Sequence, residues 1–227
     1  MERKYELVLA DKIYFLGRTL YRIIARKNFI TCTGAKIKTG DLGGYIEKEE
    51  NLSQYDNCWV WVNAKVCDDA EVCDDAEVCG NAKVWGNAKV WGNAKVWGNA
   101  KVWGNAEVWG NAKVWGNAKV CGNAEVCDDA EVWGNAKVWG NAKVCDDAEI
   151  TKANHILIAG PIGSRNDITT FYRGKDNLIY VNSGCFNGTV DKFLEAVAKT
   201  HGDSKHAVVY RKAVELAKLQ IEDVKND

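Results

Sequence analysis

The sequence predicts a triangular parallel β-helix with 18-residue coils, capped at both ends, and three observations carry that prediction. From Val60 to Glu149 the chain is fifteen hexapeptides without one insertion, from Val60-Trp61-Val62-Asn63-Ala64-Lys65 to Val144-Cys145-Asp146-Asp147-Ala148-Glu149. A period of six fits neither a 3.6-residue helix nor a heptad. Ala64-Lys65-Val66-Cys67 instead alternates small-inward, charged-outward, apolar-inward, large-outward, as a strand does. Each such strand is followed by a pair such as Asp68-Asp69 or Gly86-Asn87, residue types that tolerate left-handed backbone at a corner. Three sides close one coil. The array then gives five coils and a prism roughly 24 Å long, filled by Val and Ala.

The elements follow in order. Residues 1–47 form an N-terminal β cap, 48–150 the hexapeptide β-helix and 151–227 a small α+β module. Caps are needed because an open β-helix end exposes unpaired strand edges. The segment Tyr14 to Ile23 predicts a hairpin around Gly17, and Asn51 and Asn57 extend the six-residue spacing back from Asn63. Past the array, Ile168 to Tyr172 and Leu178 to Val181 predict strands joined by Lys175-Asp176-Asn177. Val190, Phe193, Leu194 and Val197 mark one helix face, stopped at Gly202. Ser204 caps a second helix carrying Tyr210, Val214, Ala217 and Ile221.

Composition narrows the function classes. The 227 residues carry 30 basic and 31 acidic side chains, so net charge names no partner, and 47% hydrophobic residues exclude disorder. No apolar segment follows Met1-Glu2-Arg3-Lys4 and no run of 18 apolar residues occurs. The expectation is a cytoplasmic protein of a bacterial host cell, without a membrane span and with free thiols. His155, His201 and His206 all follow the array, which leaves the β-helix without a general base or an imidazole metal ligand. There is no CxxC pair. Hence no catalytic residue, metal or cofactor is assigned. Cys67, Cys73 and Cys79 fall on successive sides, whereas Cys127 and Cys145, one coil apart, stack closely enough for occasional oxidation.

Two candidate sites emerge. At 18 residues per coil, Trp61, Trp97, Trp115 and Trp133 share one side, Trp85, Trp103 and Trp139 another, and Trp91 and Trp109 the third. Residues 80–120 hold six Lys and one Glu, and Lys65, Lys83, Lys101, Lys119 and Lys137 form an all-lysine ladder. The candidate binding surface is therefore Trp85, Trp91, Trp97, Trp103, Trp109 and Trp115 with Lys83, Lys101 and Lys119. A self-stacking ladder that only stabilises the fold has about equal weight. The second candidate is the anion or ligand loop Gly160, Gly163, Ser164, Arg165 and Asn166, where two glycines free backbone amides. A plain turn leading into a strand is the favoured reading there. Cys185 and His201 read as a packed cysteine and a helix-terminal histidine.

Val and Ala four apart with Asn between them resemble the hexapeptide repeats of left-handed parallel β-helices, with Trp or Cys replacing the usual glycine after the aliphatic residue. The ends are specific: Leu20-Tyr21-Arg22-Ile23, Gly40 to Glu47, Asn51-Leu52-Ser53 and Asn57 to Val60, then Gly160 to Asn166, Gly184 to Thr189 and His201-Gly202. With the tandem Gly-Asn-Ala-Lys-Val repeats, the chain resembles a family of uncharacterised phage, prophage and gut-bacterial proteins. That resemblance implies an architecture and a phage or prophage context, and no activity. The leading reading is a non-catalytic β-helical interaction scaffold, with a protein partner or self-association favoured and an anionic ligand as a further option. Nucleic acid finds no support in the net charge. The alternative is a small-ligand or nucleotide binder, or an enzyme, using the Gly160–His201 module. A DNA mimic is disfavoured because the array has nine Lys against six Glu and eight Asp.

Overall fold

The structure is a computed structural model that describes residues 3–221, so the outermost ends of the two terminal segments, 1–2 and 222–227, lie outside the described residues. Strands β1 (Tyr5–Phe15) and β2 (Arg18–Ala25) form the expected hairpin, longer than its core signal, with Leu16-Gly17 at the tip. A small hairpin of β3 (Phe29–Ile30) and β4 (Lys36–Ile37) follows. Strand β5 (Leu42–Ile46) pairs antiparallel with β2 on one edge and parallel with Lys65–Val66 on the other. The parallel stack therefore starts at β5, where the cap and the first coil share a sheet.

The array is a three-sided parallel β-helix with no helix between 60 and 149. The first face carries β5 and then the rungs Lys65–Val66, Lys83–Gly86, Lys101–Gly104, Lys119–Gly122 and Lys137–Val138. The second carries Glu71–Val72, Lys89–Val90, Glu107–Val108, Glu125–Val126 and Lys143–Val144. The third runs from Trp59–Val60 to Glu149–Ile150, six rungs, so the faint repeat before Val60 adds one coil to the five expected. Every rung pairs with the residue 18 further on, as in Lys83↔Lys101 and Val84↔Val102. The Val and Ala positions from Ala64 to Val144 are fully buried. Each buried Val contributes about 1.5–3 kcal/mol.

Corners explain the Gly/Asp alternation. The corner glycines have φ between +64° (Gly80) and +77° (Gly104), and Asp68, Asp74, Asp128 and Asp146 adopt the same region at φ +55° to +61°. An L residue there costs about 1–2 kcal/mol. Asp68 and Asp74 offset this by accepting the next coil's Gly86 and Gly92 amides at 3.0 and 2.9 Å. The Asn after each corner glycine forms a ladder of its own: Asn87 Nδ2 donates to Asn105 Oδ1 (3.0 Å), Asn105 to Asn123 (2.9 Å) and Asn123 to Asn141 (2.8 Å). Stacked Cys127 and Cys145, with Cα atoms 4.6 Å apart, are joined as a disulfide. One coil of rise brings into bonding range the pair that the spacing singled out for oxidation, so the expectation of free thiols does not hold for these two.

The C-terminal module is an antiparallel meander of Ile156–Ile162, Asp167–Arg173, Ile179–Ser183 and Phe186–Thr189, with α1 (Val190–His201) and α2 (Lys205–Ile221) packed on one face. Two of these strands and both helices match expectation, including the Gly202 stop and the Ser204 cap, whose Oγ accepts the Ala207 amide at 3.4 Å. The first strand was missed because Gly160-Pro161 lies inside it, at an irregularity between Ala159 and Ile162. The module closes the β-helix. Ile156 and Tyr172 join the prism's core, Lys175 N donates to Asp147 O at 2.8 Å and Lys143 N to Thr170 Oγ1 at 3.2 Å.

Candidate functional site

The tryptophans stack as the 18-residue spacing requires. Trp85 and Trp103 lie 5.1 Å apart at 3°, Trp97 and Trp115 4.8 Å at 2°, Trp115 and Trp133 5.4 Å at 6°, while Trp91 and Trp109 are tilted at 6.1 Å. Stacking covers the rings. All of these are half-buried, and of the tryptophans only Trp139 is exposed, at 55%. The broad exposed aromatic surface of the sequence reading is thereby corrected to columns of ring edges. Nor do the nine belt residues form one patch: Trp85 and Trp103 are on the first face, Trp91 and Trp109 on the second, Trp97 and Trp115 on the third.

Lys83, Lys101 and Lys119 do come together. With Lys65 and Lys137 they occupy one column of the first face, each registered against the next. The other faces mix signs at the same position, two Lys with three Glu on each. Those charges pair between neighbouring rungs: Lys89 with Glu71 (3.9 Å) and Lys143 with Glu125 (2.9 Å) on the second, Lys113 with Glu131 (3.1 Å) on the third. Among the described residues none of the five first-face lysines pairs with a carboxylate. Lys65 Nζ donates to Asn63 O at 3.1 Å and Lys83 lies 5.2 Å over the Phe15 ring. Burial pushes the Lys65 ammonium below its ordinary pKa, and the neighbouring Lys83 charge adds to that.

The second candidate changes composition. Gly160 and Pro161 belong to a strand, and Gly163 to Asn166 make the hairpin turn, closed by Asn166 N donating to Gly163 O at 3.3 Å. One of the turn's amides, Asn166 N, is thus engaged within the turn. Ser164 and Arg165 do line a cavity of about 340 Å³, together with Ser183, Cys185, Thr200, His201 and Tyr210. Its wall is aromatic: Phe193 packs 5.1 Å from Phe186 and 5.3 Å from Tyr210, and His201 lies 5.9 Å from Tyr210. Cys185 is exposed at the turn between two strands rather than packed, and accepts from Arg165 Nη1 at 3.4 Å. His201 ends α1 as read. Ser183, Thr200 and Tyr210 were not singled out as site residues, since only the folded meander brings them to Arg165.

Metal-ligating groups are engaged elsewhere. Cys127, Asp128 and Cys145 cluster within 4.8 Å, but both sulfurs are in the disulfide; Glu47, Cys67 and Asp68 also cluster, but both carboxylates pair with Arg18. No helix among the described residues is long and apolar enough to cross a membrane. Compared with known protein families and with curated proteins, the chain matches none.

Proposed function

We propose that the chain is a non-catalytic β-helical scaffold that docks an acidic protein surface along its first face. The observation that carries this reading is the lysine column, without a carboxylate partner among the described residues, on a molecule whose other two faces set Lys beside Glu on neighbouring rungs. Five ammonium groups at strand spacing repel by about 1 kcal/mol per neighbouring pair in water. A carboxylate-bearing partner relieves that repulsion and is steered by it. Protein is favoured over single-stranded nucleic acid because the ring faces that would stack bases are turned toward one another. The array's chemistry supports a non-catalytic role: burial raises the thiols of Cys73 and Cys79 to about 11 and of Cys67 to about 12, leaving them protonated and poorly nucleophilic.

The test is fluorescence anisotropy with labelled poly-glutamate and a labelled single-stranded oligonucleotide, at low and high salt. Poly-glutamate should bind the parent at low salt and be released by salt. Lys83→Glu, Lys101→Glu and Lys119→Glu together should abolish it while leaving the β-sheet circular dichroism unchanged. Equal binding by parent and triple variant, or preference for the oligonucleotide, overturns the reading.

A further inference from the structure

The cavity of the C-terminal module lies away from the lysine column and has the makings of a separate site. Arg165 is its cationic end: the guanidinium offers five N–H donors and, among the described residues, engages only the Cys185 sulfur at 3.4 Å. Ser164 and Thr200 bring hydroxyls to the lining and His201 an imidazole, with Asp167 as the one carboxylate among the lining residues. Phe186 and Phe193 add apolar ring surface to the lining. Aromatic rings and a guanidinium in one cavity suit a ligand that carries both an anionic group and a flat ring.

A second, independent observation concerns Tyr210. It is only 7% exposed, and its hydroxyl, which makes no hydrogen bond among the described residues, is open to the cavity rather than buried. Tyr210 lines the cavity, and its hydroxyl lies where a Cβ on Gly163 would sit, 1.8 Å from that position, beside Ser164 and Arg165. Glycine at 163 thus makes room for the phenol tip at the turn that carries the guanidinium. Gly184 does the same for Arg165, whose Nη1 would be 3.1 Å from a Cβ there. Both close approaches hold polar tips at one end of the cavity.

We propose that this cavity binds a small organic phosphate carrying a flat ring, the chemistry of a nucleoside monophosphate. The phosphate oxygens accept from Arg165, Ser164 and the Tyr210 hydroxyl, and the ring lies against Phe186 and Phe193. A volume of about 340 Å³ sits at the lower end of the range for small-molecule sites and limits the ligand to one nucleotide.

Isothermal titration calorimetry on the full chain tests it, with the four common ribonucleoside monophosphates, their nucleosides and inorganic phosphate as probes. At least one monophosphate should bind saturably, more tightly than both its nucleoside and inorganic phosphate. Arg165→Gln should weaken it about tenfold or more, and Tyr210→Phe several-fold, since that change removes one oxygen and keeps the ring. The lysine-column triple variant should bind it like the parent, which separates this site from the scaffold surface. Absence of saturable binding by all four monophosphates overturns the proposal. So does an affinity unchanged in Arg165→Gln, or inorganic phosphate binding as tightly as the nucleotide.

Discussion

Glu77 and Glu131 occupy the same position of the repeat, on the same face and three coils apart, yet they live in different chemical worlds. Glu131 pairs first with a repeat residue, Lys113, its counterpart one coil earlier, at 3.1 Å, and is also reached by Lys175 of the C-terminal module at 3.5 Å. Glu77 lies under the N-terminal cap, 4% exposed, and receives Thr33 Oγ1 at 2.7 Å, Trp61 Nε1 at 2.7 Å and Thr33 N at 3.1 Å. Middle coils are held by copies of themselves, whereas the ends are held by residues without any repeat relationship. The first kind of partnership follows from translation along the axis. The second has to be assembled by the fold.

The largest expected effect breaks the middle. Val102→Asp places an unpaired carboxylate in a dry prism with no water to solvate it, and should cost more than about 4 kcal/mol and unfold the central coils. Circular dichroism melting should show an early loss of β signal. A melt like the parent's would mean that Val102 does not face inward.

An intermediate effect separates the C-terminal cap from the coils. Phe193→Ala removes the ring that joins Phe171, Phe186 and Tyr210 and should cost the module about 3–5 kcal/mol. Hydrogen exchange should then rise in α1 and α2 while the middle coils keep their protection. Uniform loss of protection would show that the coils depend on the module as much as on one another.

The smallest effect compares the two glutamates through pH. Burial raises the pKa of Glu77, but hydrogen bonds from Thr33, Trp61, Cys32 and Thr31 outweigh it, and the net shift is downward. A carboxyl with a depressed folded pKa stabilises the fold fully above its unfolded value of about 4.3, and that contribution is lost as pH falls through the folded pKa. Glu77→Gln should cost about 1–3 kcal/mol at neutral pH and progressively less below pH about 4. Glu131→Gln should change stability by less than about 1 kcal/mol throughout. A pH-independent penalty at Glu77 would mean that it is lost packing rather than lost charge.

The same division decides what could be read from the sequence. Coil size, the inward Val and Ala, the left-handed corners, the Trp columns and the lysine column all follow from the period, because each residue's partner is named by adding 18. The Asn ladders were equally legible in principle and were read only as corner residues. At the ends no such rule applies. Gly160-Pro161 looks like a loop because glycine and proline interrupt strands in general, and only pairing with Thr169 and Asp167 on the next strand draws it into a sheet. Arg165 was visible as a candidate. Thr200, Ser183 and Tyr210 come from one strand and two helices, and no local pattern marks that convergence.

The 18-residue coil also fixes how such a molecule can change length. Gaining or losing one hexapeptide obeys every local rule of the repeat: Val and Ala still point inward, and a corner still meets a corner. It nevertheless turns everything downstream by a third of a revolution, so the lysine column would break and its remaining members would continue beneath another face, among glutamates. A gain of three hexapeptides lengthens the prism by one rise and leaves every column aligned. Length can therefore vary in two step sizes, one that rewires the charged surface and re-aims the C-terminal module about the axis, and one that only moves that module further out.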